Sequence, residues 1–142
     1  MPTGRGSLPG HLAEQIYGDV TGEWHCFRGV RRHADHLLPI AVTDAYFHEM
    51  LGDAVGMLDL SGGTLFNQIE RLSGVAIGRV TQCTQAIAAT KEVAALLEMD
   101  TASPVLRIMR VYTNPAGQIF EISASHHPGG RFAYMMHIDV DS

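Results

Sequence analysis

The sequence predicts one α+β domain on a mainly antiparallel β-sheet with packed helices. Three observations carry that reading. Alternating strand-like runs fill the last third, and the turn signals Asn114-Pro115-Ala116-Gly117 and His127-Pro128-Gly129-Gly130 separate them. Proline fixes φ at such turns and glycine supplies positive φ. The helical stripes are short and fall between hairpins, whereas a parallel sheet would need one crossover helix per strand. Finally, 142 residues, 46% of them hydrophobic, suit one compact core of about 14 Å radius of gyration with no metal or disulfide staple.

The elements follow in order. Met1–Gly10 is glycine- and proline-rich and reads as a linker. His11–Tyr17 places Leu12, Ile16 and Tyr17 on one helical face, and Gly18 ends it. Trp24–His33 and Ile40–Phe47 are strands joined by a turn before Pro39. Along the first strand, Trp24, Cys26, Arg28, Val30 and Arg32 share a face, and Arg31 points the other way. His48–Leu60 is apolar but broken by glycine, a short helix and loop. Thr64–Leu72 is a helix with Leu65, Phe66, Ile69 and Leu72 as its stripe, and Gly74 lies past its end. Val75–Ala88 is a long strand. The Thr90 hydroxyl then caps a helix ending near Met99. Pro104–Thr113, Gln118–His126 and Arg131–Val140 complete a three-stranded meander.

Composition excludes several function classes. The formal charge is −5, so phosphate-backbone binding by this chain has no electrostatic support. The apolar runs are too short to span a bilayer, and the first residues contain no secretory h-region. Two cysteines, Cys26 and Cys83, make no disulfide framework and fit a cytoplasmic location. No HExxH, CxxC, GxSxG or Walker loop occurs, so neither metal nor cofactor is expected. His126 and His127 are adjacent and would point to opposite faces of a strand.

The polar residues that could bind a ligand are strand residues. Glu121, Ser123, Ser125 and His127 alternate along one strand. Such a row either lines a cavity or forms the wet side of an antiparallel sheet. A four-residue loop at Asn114–Gly117 would set Arg110 directly opposite Glu121, as a cross-strand ion pair. Arg28 and Arg32, on one face of their strand, could fork a carboxylate or phosphate, or form a solvated basic edge.

The run ATKEVAALLEMDTASPVLRIMRVYTNPAGQIFEISASHHPGGRF resembles the UTRA domain, the effector-binding domain of GntR-family transcription regulators of the HutC subfamily. Leu96-Leu97, Pro104-Val105-Leu106, Arg110, Gly117, Phe120-Glu121, Ser123, Gly129 and Arg131-Phe132 carry the pattern. Upstream, FRGVRRHADHLLPIAV and GGTLFNQIERLSGVAI are similar to the family's arginine-rich hairpin and its Ser-Leu-Tyr helix. The likeness runs from about Leu12 to Val140.

The resemblance implies a chorismate-lyase-like fold, a small-molecule effector and a homodimer. It implies operator DNA binding through a winged helix-turn-helix that this chain lacks, since no recognition helix or basic patch precedes Leu12. It also implies an effector site on Arg28, Arg32, Thr43, Thr64, Phe66, Glu121, Ser123, Ser125 and His127, with arginine gripping an anionic group. Thr43 stands where the family has an acid, Thr64 and Phe66 where it has Ser and Tyr, and His127 where it often has Tyr. The departures at Thr43 and His127 argue against a sugar phosphate. The expected function is therefore a non-enzymatic sensor. The alternative is a lyase of the same fold acting on a cyclic acid, for which only Glu121 offers an acid–base group.

Overall fold

The computed structural model describes residues 2–32, 38–59 and 65–140. One antiparallel sheet organises it. The strands are β1 (Pro2–Gly6), β2 (Trp24–Arg32), β3 (Pro39–His48), β4 (Arg79–Ala88), β5 (Pro104–Thr113) and β6 (Ile119–Pro128). Their order across the sheet is β1-β2-β3-β6-β5-β4, which makes β3 and β6 central. The helices are α1 (Gly10–Ala13), α2 (Leu65–Ser73) and α3 (Lys91–Leu97), with a 3-10 segment at Glu49–Met57 broken at Gly52.

Pairing registers define two faces. On the first lie Arg28, Asp44, Ala124, Met109 and Cys83, each opposite the next across neighbouring strands. Trp24, Tyr46, Met109, Val111, Ile122 and Ala124 form its core, covered by Leu8 and by Leu12 of α1. Farther along, Ala94 of α3 packs with Ala89 and Val105. On the second face, Phe47 and Phe120 are fully buried under Leu51, Ala54 and Val55 of the 3-10 segment and Ile69 of α2. Each such ring contributes on the order of 2–3 kcal/mol of burial. Because both faces of β6 are covered over Ile119–Ile122, even Glu121 is buried there.

Local chemistry sets several boundaries. The Thr90 hydroxyl accepts from the Val93 amide at 3.2 Å and starts α3, as the sequence predicts. Arg131 closes the other end, donating to the carbonyls of Leu97 (2.6 Å) and Glu98 (2.8 Å) and also to that of Pro39. Gly78 must be glycine because a Cβ would lie 2.9 Å from the Asn114 backbone at the β5–β6 turn.

Five expectations need correction. Pro2–Gly6 pairs with β2 as an edge strand, although its composition reads as linker. The first helix is only Gly10–Ala13, and Tyr17 is fully exposed rather than on its apolar face. In α2, Leu72 is exposed and Gln68 is buried instead, exchanging hydrogen bonds with the Asp59 backbone (2.7 and 2.8 Å). The long strand starts at Arg79, not Val75. Residues 131–140 form no strand; the third partner of the meander is β4, and β6 continues through His127 and Pro128 to pair with Leu106 and Val105. The Ala-Asp turn, including His33, lies outside the described residues.

Candidate functional site

Alternation along β6 puts Glu121, Ser123, Ser125 and His127 on the second face, as the sequence predicts. Because β6 is central, this row is half-buried or buried rather than a wet side. Glu121 is 3% exposed, and its Oε1 has no hydrogen-bond partner. Burial pushes its carboxyl up to about 8, so it stays protonated at neutral pH and can donate as well as accept. His127 is 7% exposed, with Nδ1 unpartnered and its ring stacked on Phe132 at 3.9 Å. Burial holds its imidazole below the ordinary value, and nearby Arg31 and Arg110 act the same way.

A cleft of about 440 Å³ opens over one end of the row. Arg31, Thr43, Arg110, Ser125, His127 and Phe132 are among its walls. The Thr43 and Ser125 hydroxyls are 3.2 Å apart. Arg31 and Arg110 have no ion pair among the described residues; Arg110 donates to the neutral Gln82 amide oxygen at 2.8 Å and to the Tyr112 hydroxyl. Guanidinium groups without a carboxylate partner, Arg31 from β2 on one side and Arg110 from β5 on the other, can hold a planar anion between them. Hydroxyls and a neutral imidazole add directional hydrogen bonds.

A larger cleft of about 660 Å³ lies on the opposite face, between the Gln15–Gly18 turn and the β4–β5 strands. Its one charged wall residue is the exposed Arg79. Size alone favours it; convergent polar groups favour the smaller cleft.

The predicted site residues divide accordingly. Thr43, Ser123, Ser125 and His127 share the second face with Glu121. Phe66 stacks on Tyr112 at 4.7 Å, and Tyr112 lies directly opposite Glu121, so Phe66 closes the other end of the row. Thr64 lies outside the described residues. Arg28 is on the first face, gripped by Asp44 (2.7 and 3.1 Å) and Glu92 (2.6 Å), and does not join the others. Arg32 is at the strand end, paired with Glu98 at 2.8 Å, and does not line the cleft. Arg31, expected to point away, takes the place assigned to them. The Arg110–Glu121 pair also fails to form: a register shift at Tyr112/Thr113 sets Arg110 opposite Ser123. Sequence reasoning missed Arg31 and Arg110 as cleft residues. The signal was the pairing of Arg31 with Ala41, which has the parity of Thr43.

A central antiparallel sheet with a polar row and a cationic cleft defines a small-molecule-binding α+β domain. The chain belongs to the UTRA domain family, whose profile matches residues 10–133. It is 35% identical over 114 residues, 77% of its length, to the HTH-type transcriptional regulator Rv0792c of Mycobacterium tuberculosis, and it spans 41% of that protein. Its fold is similar to a GntR-family transcriptional regulator from Enterococcus faecalis V583 (TM-score 0.75, 20% identity, 97% of this chain and 99% of that one). The C-terminal domain of the histidine utilization repressor from Pseudomonas syringae pv. tomato is also similar (TM-score 0.79, 16% identity, 96% and 93%). The fold is thus the chorismate-lyase-like α+β fold of these regulators. UTRA domains are the effector-binding regulatory domains of GntR-family regulators, and this chain is one of them.

Proposed function

We propose that this domain senses an anionic small molecule on the second face of its sheet. It acts as the non-enzymatic, dimeric effector domain of a cytoplasmic HutC-type regulator whose operator DNA is bound by a separate N-terminal domain. The observation that carries the reading is the cleft over Ser125 and His127, where a buried imidazole keeps an unpartnered Nδ1 between Arg31 and Arg110. An unsatisfied buried polar atom costs about 1–3 kcal/mol, which a ligand that bonds to it recovers. The guanidinium groups of Arg31 and Arg110, which no carboxylate neutralises among the described residues, supply the charge that an anion needs. Binding shifts the molecule between states only by its difference in affinity for them, and that difference is what a linked DNA-binding domain would read.

The test is a thermal-shift panel of carboxylates and phosphates, followed by calorimetry on the strongest hit. Arg31→Ala and Arg110→Ala should each weaken binding about tenfold or more, the loss of a charged hydrogen bond. Arg28→Ala, on the other face, should leave affinity within about twofold, or ~0.4 kcal/mol. Equal losses for Arg28→Ala and Arg31→Ala would show that the ligand does not read the cleft. The protonated Glu121 also suits a general acid, so chorismate turnover is the parallel assay; detectable product would move the chain to the lyase reading.

A further inference from the structure

Arg107 is a buried cation without an anion. It lies in β5 on the first face and is 6% exposed. Among the described residues it makes no ion pair. Its Nη2 donates to two amide oxygens, Gln15 Oε1 and, at 2.7 Å, Gln85 Oε1. The carboxylates of Asp44 and Glu92 are both taken by Arg28. A buried charge is costly unless an opposite charge meets it, and neutral amides replace one only in part. His126 stands directly across the ladder from Arg107, and its buried Nδ1 has no hydrogen-bond partner among the described residues. Burial first, and the Arg107 charge next, hold its imidazole below the ordinary value, so the ring is neutral at pH 7. One tautomer of that ring carries its proton on Nδ1 and can donate it to an anion.

The larger cleft ends at this pair. Gln15, which caps Arg107, is one of its walls. So are Cys83 and Met109, which lie two residues along their strands from Gln85 and Arg107 and therefore on the same face. Its floor is apolar: Met109, Val111 and Ile119 are buried. Among the described residues no acid lines it. Gln15 and Gln85 are both exposed, so their side chains can swing into water and open Arg107 to the cleft.

We propose that this cleft is a second ligand site, for an apolar monocarboxylate whose body lies over Met109, Val111 and Ile119 and whose carboxylate meets Arg107 and His126. The ligand puts a charged oxygen on the guanidinium where Gln15 offers a neutral one, and the charge-assisted hydrogen bond is the stronger. Its body leaves water for the apolar floor. The site lies on the opposite face of the sheet from the anion cleft and uses neither Arg31 nor Arg110. It therefore stands or falls apart from the reading above.

Calorimetry of the full chain with octanoate, acetate and 1-octanol tests it. Octanoate should bind, and the other two should each bind about tenfold more weakly or less, since acetate lacks the apolar body and 1-octanol the charge. Arg107→Met should weaken octanoate about tenfold or more, the loss of a charged hydrogen bond. Thr81→Trp, on the exposed rim of β4, should fill the cleft and weaken octanoate about fivefold with an unchanged circular dichroism spectrum, and it carries the test if Arg107→Met does not fold. The Met109 methyl resonance should shift as octanoate is added. Octanoate that does not bind at millimolar concentration, or that acetate or 1-octanol matches, overturns the proposal. So does an unshifted Met109 methyl, or an affinity that survives Thr81→Trp. Octanoate binding lost in Arg31→Ala and kept in Arg107→Met would put the carboxylate in the second-face cleft and overturn it as well.

Discussion

Glu121 is the residue on which pH acts most simply. Its folded pKa is raised to about 8 by burial from an ordinary 4.5. Between those values the folded chain binds a proton that the unfolded chain has released, so stability falls as pH rises across the window. The loss is at most about 5 kcal/mol when complete. Glu121→Gln should flatten this slope and raise stability at pH 8, read by urea titration at pH 5, 7 and 8. His127 acts in the opposite sense. Its pKa lies below 6.5, so an anion in the cleft should bind more tightly as pH falls, with the rise starting below 6.5. Calorimetry between pH 5 and 8 reads this, and His127→Gln should remove it. At this scale the sequence was legible in parity but not in register. Alternation places Glu121, Ser123, Ser125 and His127 together. Which arginine joins them depends on a strand pairing that no local pattern reports.

Elements show why some boundaries were readable and others were not. Thr90 and the α3 stripe are local signals, and α3 starts where they indicate. Thr90→Ala should cost about 1 kcal/mol, measurable by denaturant titration. The β5–β6 hairpin was recognisable from Asn114–Gly117, but its register turns on the irregularity at Tyr112/Thr113, which moves Arg110 two residues along from Glu121. Pro2–Gly6 offers no apolar alternation, and its strand depends on the edge of β2 being open. The alternation of Arg131–Val140 is real, but a strand needs a partner, and none of the described strands pairs with it. Phe120 is fully buried between β3, β5 and the 3-10 cover. Phe120→Ala should cost about 3–5 kcal/mol.

For the whole molecule, the two sheet faces do different work. The first is partly covered by α1 and α3, and there Arg28 joins β2, β3 and α3 through Asp44 and Glu92. Removing that guanidinium should lower stability and leave ligand affinity alone. The second face keeps an opening where two arginines and an unpartnered imidazole nitrogen remain available. The formal charge of −5 adds a further expectation: the chain itself should show no nanomolar, salt-sensitive binding to operator DNA in a gel shift. The most direct measurement of the central claim is a crystal structure with the strongest calorimetric ligand bound. The predicted result places its anionic group between Arg31 and Arg110, with its other polar atoms toward Ser125 and His127. Density instead in the larger cleft beside Arg79, on the opposite face, would contradict the account.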